Sequence, residues 1–171
     1  MDQKILQSEK QFPAMTLTRR TKVSIVVLIA LYIAIGFFRE FIFLNINEQS
    51  RVTYYHATDS HVAPSMHWLS GLSYSTLYYA KWPLTLLFTA CFAFISAAIV
   101  RKWFSNKNFV KITWLAYAIT FAAALLFYLA GAVTDAREST YGIARFLAGL
   151  TETPALLVML LASFLAMRRN E

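Results

Sequence analysis

The chain has 171 residues, of which 58% are hydrophobic and only 15% are charged, and its mean hydropathy is +0.49. This composition excludes an ordinary soluble domain and predicts a single polytopic membrane domain of the all-α class. The net charge of +7 does not indicate a nucleic-acid partner, because the cations lie outside the apolar runs and mostly on one side of them.

Four apolar runs are long enough to cross the hydrocarbon as helices, since about 20 residues suffice. The first is interpreted as a retained span, because it runs without a charge from residue 23 to 38 and lacks the short apolar core and cleavage site of a signal peptide. The predicted spans are 23–44, 82–100, 112–134 and 146–167. The connecting segments are the tail 1–22, the outer segment 45–81, the loops 101–111 and 135–145, and the end 168–171.

The predicted fold is therefore a four-transmembrane-helix bundle whose long outer segment carries an interfacial helix. Apolar residues recur at helical spacing between 64 and 81, just before the second span. These residues are Met66, Leu69, Leu72 and Leu77. Amphipathic rings in the same segment, such as Trp68 and Tyr79, are typical of the headgroup level of a membrane.

Lysine and arginine beside the spans predict the orientation. Eleven lie in the tail, the 101–111 loop and the C-terminal end, and five lie on the other side. We therefore expect both termini in the cytoplasm and the protein in the plasma membrane of a bacterium.

Ionisable residues inside two of the apolar runs predict a polar cluster. Arg39 and Glu40 lie near the outer end of the first span, and Glu152 lies at a matching depth in the fourth. A charge in the hydrocarbon costs about 2.5 kcal/mol or more, so such residues usually face the bundle and find partners. We expect Arg39 or Arg145 opposite Glu152 and Glu40. Three amides are expected above the cluster, namely Asn45, Asn47 and Gln49.

The fourth span places four residues of this region on one face. Gly142, Arg145, Gly149 and Glu152 recur at spacings of three, four and three. Glycine on that face is expected to let another backbone come close. Pro154 is expected to bend the helix and free a carbonyl beside Glu152. The cluster is interpreted either as a structural ion pair that fixes helix register or as a ligand or proton site.

A second set of polar residues lies in the outer segment. His56, Asp59 and His61 offer two imidazoles and a carboxylate, which could ligate a divalent metal. Exposed histidines in a polar loop are the commoner case. The spans hold no histidine that could bind a haem, and the sole cysteine, Cys91, lies inside an apolar run. No cofactor is therefore predicted.

No phosphate loop, serine elbow or zinc-protease motif occurs in the sequence. We therefore expect a protein that is not an enzyme, acting as an accessory or assembly subunit of an envelope complex. Its expected partners are the lipid bilayer, other membrane proteins and further copies of itself. One alternative is a small proton-coupled transporter that uses Glu152 with Arg39 and Arg145. The other is a membrane enzyme with a metal held by the histidine loop.

Overall fold

The computed structural model describes residues 18–134 and 137–169, and all regular structure in these ranges is helical. The tail up to residue 17 and part of the predicted loop 135–145 lie outside the described residues. The elements in chain order are α1 (Arg19–Tyr55), a 3₁₀ helix (Pro64–Gly71), α2 (Tyr74–Phe104), α3 (Lys107–Val133), α4 (Arg137–Thr151) and α5 (Pro154–Arg169). The prediction of an all-helical protein is confirmed.

Three helices are long and apolar enough to cross a membrane, and a bent pair makes a fourth if it is counted as one span. The three helices are α1, α2 and, in α3, the stretch Lys107–Gly131. The bent pair is Thr140–Thr151 with Pro154–Arg168, which meet at 64°. The span predicted over 146–167 thus consists of two helices that meet just before Pro154, where a bend was expected.

α1 is much longer than the span predicted at 23–44. The Thr18 hydroxyl caps its start by accepting from the Thr21 amide at 3.3 Å, and His56 ends it in the left-handed conformation with φ 53. The 37 residues of α1 extend over about 55 Å at helical rise, against about 30 Å of hydrocarbon. No glycine or proline interrupts residues 45–55, so the helix continues into the segment that was predicted to be its outer connection.

The single interfacial helix predicted over 64–81 is also wrong. The 3₁₀ helix ends at Gly71, and α2 starts afresh after Ser73, whose hydroxyl accepts from the Thr76 amide at 3.3 Å. Leu69 and Leu77 are both buried and pack with Ile46 of α1. The apolar side of this segment therefore faces the protein rather than a lipid surface.

The bundle is closed by aromatic side chains at the end where α2 turns into α3. Phe104 and Phe109 flank that turn with ring centroids 5.3 Å apart, and Phe164 of α5 lies 5.8 and 4.4 Å from them. All three side chains are buried. We call this cluster the aromatic plug. α2 lies centrally, since it contributes most of the described buried residues of the core.

Candidate functional site

The break between α4 and α5 positions Glu152. After Thr151 the Glu152 amide donates to the Gly149 carbonyl at 3.1 Å, a tightened turn that ends α4. The Thr151 hydroxyl donates to the Ala148 carbonyl at 2.7 Å and lies 3.1 Å from the Thr89 hydroxyl of α2. Since proline has no N–H to continue the ladder, α5 starts in a new direction at Pro154. The break is thereby anchored to the central helix.

Buried hydroxyl groups satisfy the backbone at the same break. The Tyr32 hydroxyl of α1 donates to the Thr153 carbonyl at 2.9 Å. Pro154 leaves the carbonyl four residues earlier, that of Leu150, without an amide donor, and the Thr153 hydroxyl donates to it at 3.5 Å. The Tyr32 hydroxyl also lies 3.5 Å from that of Tyr117 in α3, which lies 2.8 Å from the Ser96 hydroxyl in α2. This chain of hydroxyl groups ties α1, α2 and α3 to the bend in a region without bulk water.

Glu152 forms an ion pair with Arg39 of α1, one of the two partners that the sequence predicted. The Glu152 side chain is 2% exposed and that of Arg39 is 23% exposed. Arg39 also donates to Glu40 at 3.1 Å and lies over the Phe43 ring, with 4.8 Å between the guanidinium carbon and the ring centroid. Arg39 Nε and Glu152 Oε1 are buried and have no hydrogen-bond partner among the described residues. The pair thus keeps one donor and one acceptor that a small bound molecule can satisfy.

A cavity of about 290 Å³, which we call the charged cavity, opens beside this ion pair. It lies at the end of the bundle opposite the aromatic plug, between the start of α2 and the end of α3. Among the described residues, its charged lining comprises three cations and two carboxylates, which leave one net positive charge when all are ionised. These residues are Arg39, Lys81, Arg145, Glu40 and Glu152. Its aromatic lining consists of Phe43, Tyr78, Trp82, Phe121, Tyr128 and Tyr141.

Arg145, the alternative partner for Glu152, lines the charged cavity without joining the ion pair. Asn47 lines it too. Asn45 and Gln49 do not: Asn45 accepts from the Ala63 amide at 2.6 Å, and Gln49 donates to a hydroxyl within α1 at 3.1 Å. The amides expected above the cluster are thus split between two faces. At about 100° per residue, Asn47 is rotated roughly 80° from Arg39, whereas Asn45 and Gln49 are rotated roughly 240° and 280°.

The glycines of α4 do not bring another backbone close. A Cβ built on Gly142 or Gly149 meets no atom within 4 Å, and Gly149 lines the charged cavity. The close approach predicted from these glycines is therefore wrong. A side chain at Gly149 would instead take up space inside the cavity, beside Glu152.

The outer segment folds back on α1 through a separate ion pair. Arg51 donates to Glu48 at 2.8 and 3.0 Å and reaches the Asp59 carbonyl at 3.1 Å, while the His61 amide donates to Glu48 at 3.1 Å. These residues lie beyond the predicted membrane-spanning part of α1. The Arg51 side chain and the His61 amide lower the pKa of Glu48 from 4.5 to about 2. We call this set of contacts between Glu48, Arg51, Asp59 and His61 the clip. It holds the start of the outer segment in place.

The metal site expected at His56, Asp59 and His61 is not supported by their placement. No three metal-ligating side chains come together within the described ranges. His61 Nε2 lies 3.9 Å from Asp59, whereas His56 forms the left-handed end of α1. The reason is that Asp59 turns back toward Arg51, so the loop is organised by the clip.

The lining residues that sequence reasoning missed include Lys81, Trp82 and Tyr128. Lys81 was used only as a span boundary, yet it follows buried Leu77 by four residues and so lies on the inward side of α2. The Trp82 and Tyr128 rings meet with centroids 4.2 Å apart. The inward spacing from Leu77 was the signal that could have identified Lys81; no sequence pattern pairs Trp82 with Tyr128.

No protein-family model, no curated protein and no solved structure matches the chain. The interpretation of the charged cavity therefore depends on its own geometry and chemistry.

Proposed function

We propose that the chain is a four-span protein of the bacterial cytoplasmic membrane with both termini in the cytoplasm. If α4 and α5 are counted as one bent span, the chain has four spans, and an even number of spans leaves both termini on the same side of the membrane. The excess of lysine and arginine at the aromatic-plug end, including Arg101 and Lys102, supports the orientation. The charged cavity then opens toward the outside.

We further propose that the protein is a small proton-coupled transporter whose exchange group is Glu152. The observation that carries this proposal is a buried carboxylate, paired with Arg39, at a helix break that faces a cavity. Broken helices of this kind form substrate and ion sites in many secondary transporters. Intramembrane ionisable residues also mark proton and substrate paths.

The ion pair suggests how proton binding and substrate binding are linked. Glu152 Oε2 binds Arg39, while Oε1 has no partner among the described residues and can take a proton. A proton on Glu152 removes its negative charge, so Arg39 keeps only its contact with Glu40, and the guanidinium nitrogen that faced Glu152 becomes available to a substrate. Loss of the proton restores the pair and releases the substrate. The bend at residues 152–153 is the element that can respond, because α4 ends just before it and α5 begins just after it.

The transporter proposal is tested in vesicles that contain the purified protein and a pH-sensitive dye. Benzoate, gluconate, glutamate, lysine and glucose are each added outside. We expect at least one to change the internal pH faster than in protein-free vesicles, and Glu152→Gln to abolish the difference. Asp59→Asn, at an exposed carboxylate of the outer segment, is the matched control and should transport normally. Wild-type rates in Glu152→Gln, or no response to any probe, would remove the proposal.

A second candidate is the accessory or assembly subunit of an envelope complex, favoured by a ladder of aromatic rings at the outer end. Tyr54 contacts Tyr55 and Tyr74 with centroids 4.9 and 5.0 Å apart, and Tyr78 contacts Tyr79 at 5.4 Å. Tyr55 and Tyr79 are 72% and 67% exposed. Aromatic residues are enriched in protein interfaces, so this surface suits a membrane-protein partner or a second copy of the chain.

Photocrosslinking in cells tests this second candidate. A photoreactive residue at Tyr55 or Tyr79 should capture one defined partner, whereas the same residue at Leu126, exposed on α3, should capture none. A purely monomeric protein in native detergent with no captured partner would contradict the accessory role.

A further inference from the structure

We propose that the substrate of the charged cavity is a small organic acid with one carboxylate and an aromatic or apolar body, bound by Lys81, Arg145 and Trp82. This inference rests on the proposed transporter and names its substrate class. It is carried by the two cations of the cavity that the Arg39–Glu152 pair does not use.

Lys81 and Arg145 make no ion pair with any described residue. They line the same cavity. A cation without a paired anion is costly in an apolar bundle, and a bound anion that contacts both side chains offsets that cost. The part of the cavity lined by Lys81 and Arg145 is thus the place for the negative group of a ligand.

The net charge of the cavity sets the charge of that ligand. Among the described lining residues, three cations and two carboxylates leave one positive charge when Glu152 is ionised and two when it is protonated. A proton and a monoanion that bind together therefore leave the cavity with the net charge that it has when empty, whereas a proton and a dianion would not. Arg39 Nε, which has no hydrogen-bond partner among the described residues, provides a further donor for a carboxylate oxygen. A singly charged carboxylate fits this set better than a phosphate ester.

The walls and the size of the cavity determine which uncharged groups the ligand can carry. Trp82 and Tyr128, in edge contact at 4.2 Å, form an aromatic side, and Phe43 lies near Arg39. A flat or apolar body packs on such surfaces. The volume of about 290 Å³ is at the lower limit of the roughly 300–1,000 Å³ typical of small-molecule sites. A compact acid therefore suits it, whereas a whole phospholipid does not.

Binding of benzoate to the full chain in phosphatidylcholine nanodiscs tests the inference, with benzamide as the neutral isostere. Benzoate should raise the melting temperature and benzamide should not. Lys81→Gln and Arg145→Gln should each weaken benzoate binding about tenfold or more, the size expected for one charged contact. Lys81→Arg should recover much of the affinity, and Lys102→Gln, a cation at the other end of α2, should leave it unchanged.

Equal effects of benzoate and benzamide would overturn the inference, as would unchanged benzoate affinity in both glutamine variants. Stabilisation by phosphatidylglycerol nanodiscs but not by benzoate would also overturn it, because the anion would then be a lipid headgroup. Glu152→Gln separates the inference from the transporter proposal: it should retain benzoate binding while it loses proton-coupled transport. Benzoate binding without any transport would contradict only the transporter, and transport of a cation or sugar without benzoate binding would contradict only the substrate class.

Discussion

The two ends of the bundle are built in opposite ways. At the aromatic-plug end, Phe104, Phe109 and Phe164 are buried against one another. At the other end, the charged cavity holds five ionisable side chains, of which only three take part in ion pairs among the described residues. Close packing at one end gives the bundle a fixed frame, and incomplete pairing at the other leaves groups for a ligand.

Loss of the buried ion pair should have the largest effect on stability. Arg39→Met leaves the Glu152 carboxylate, 2% exposed, without its partner, so we expect the free energy of unfolding in detergent to fall by about 3 kcal/mol. Arg145→Met removes a cation from the same cavity that makes no ion pair with a described residue, so it should change stability by less than about 0.5 kcal/mol. Equal losses in the two variants would show that the charged end is stabilised by overall charge rather than by the pair.

Truncation of the plug should destabilise the opposite end by a similar or slightly smaller amount. Phe164→Ala removes a ring that is 1% exposed, and we expect a loss of about 3 kcal/mol with benzoate affinity unchanged. Leu126→Ala, at a position that is 67% exposed, is the matched control and should have little effect. Loss of benzoate binding in Phe164→Ala would show that the two ends are not independent.

Deletion of one hydroxyl at the bend should have a moderate effect. Tyr32→Phe removes the hydrogen bond to the Thr153 carbonyl and leaves Tyr117 with one partner fewer, which should reduce stability by about 1 kcal/mol. Tyr54→Phe, at an exposed tyrosine whose described contacts are ring contacts, should be neutral. Thermal unfolding of both variants in the same detergent checks this. Unchanged stability of Tyr32→Phe would mean that the bend is held by Pro154 and Thr151 alone.

The clip of the outer segment should respond to acid. The pKa of Glu48 is lowered in the folded protein to about 2 from 4.5, so its contribution is present above pH 4.5 and is lost as the pH falls toward 2. The His61 amide donates to Glu48, so its protection from hydrogen exchange, measured against the intrinsic exchange rate at each pH, should fall over this interval. In Glu48→Gln the exchange should lack this acid transition. A wild-type transition centred near 4.5 would contradict the clip.

Much of the helical architecture could be predicted from the length of the apolar runs, because about 20 apolar residues are needed to cross a bilayer. The pair of Arg39 and Glu152 was also predictable, since charges inside such runs must find partners. The choice of Arg39 over Arg145 was not, because both residues fit the same rule and only the packing of α1 against the break decides between them.

The errors have a common physical origin. The length of an apolar run predicts which residues can lie in the hydrocarbon but not where the helix ends. The extension of α1 to Tyr55 was therefore missed, and Asn45 was assigned to the wrong side. Small residues such as Gly149 are typical of close packing, but the same lack of a side chain also makes room for a cavity. Lys81 was overlooked because a cation at the end of an apolar run was sufficiently explained by topology.

A double-mutant cycle on Arg39 and Glu152 tests the central claim most directly. The unfolding free energies of wild type, Arg39→Met, Glu152→Met and the double variant would be measured in the same detergent. If the two side chains form a buried pair, the double variant should be more stable than the sum of the single losses allows, by about 2 kcal/mol or more. Additive losses, with a coupling energy close to zero, would show that α1 and the α4–α5 break are not joined through these side chains.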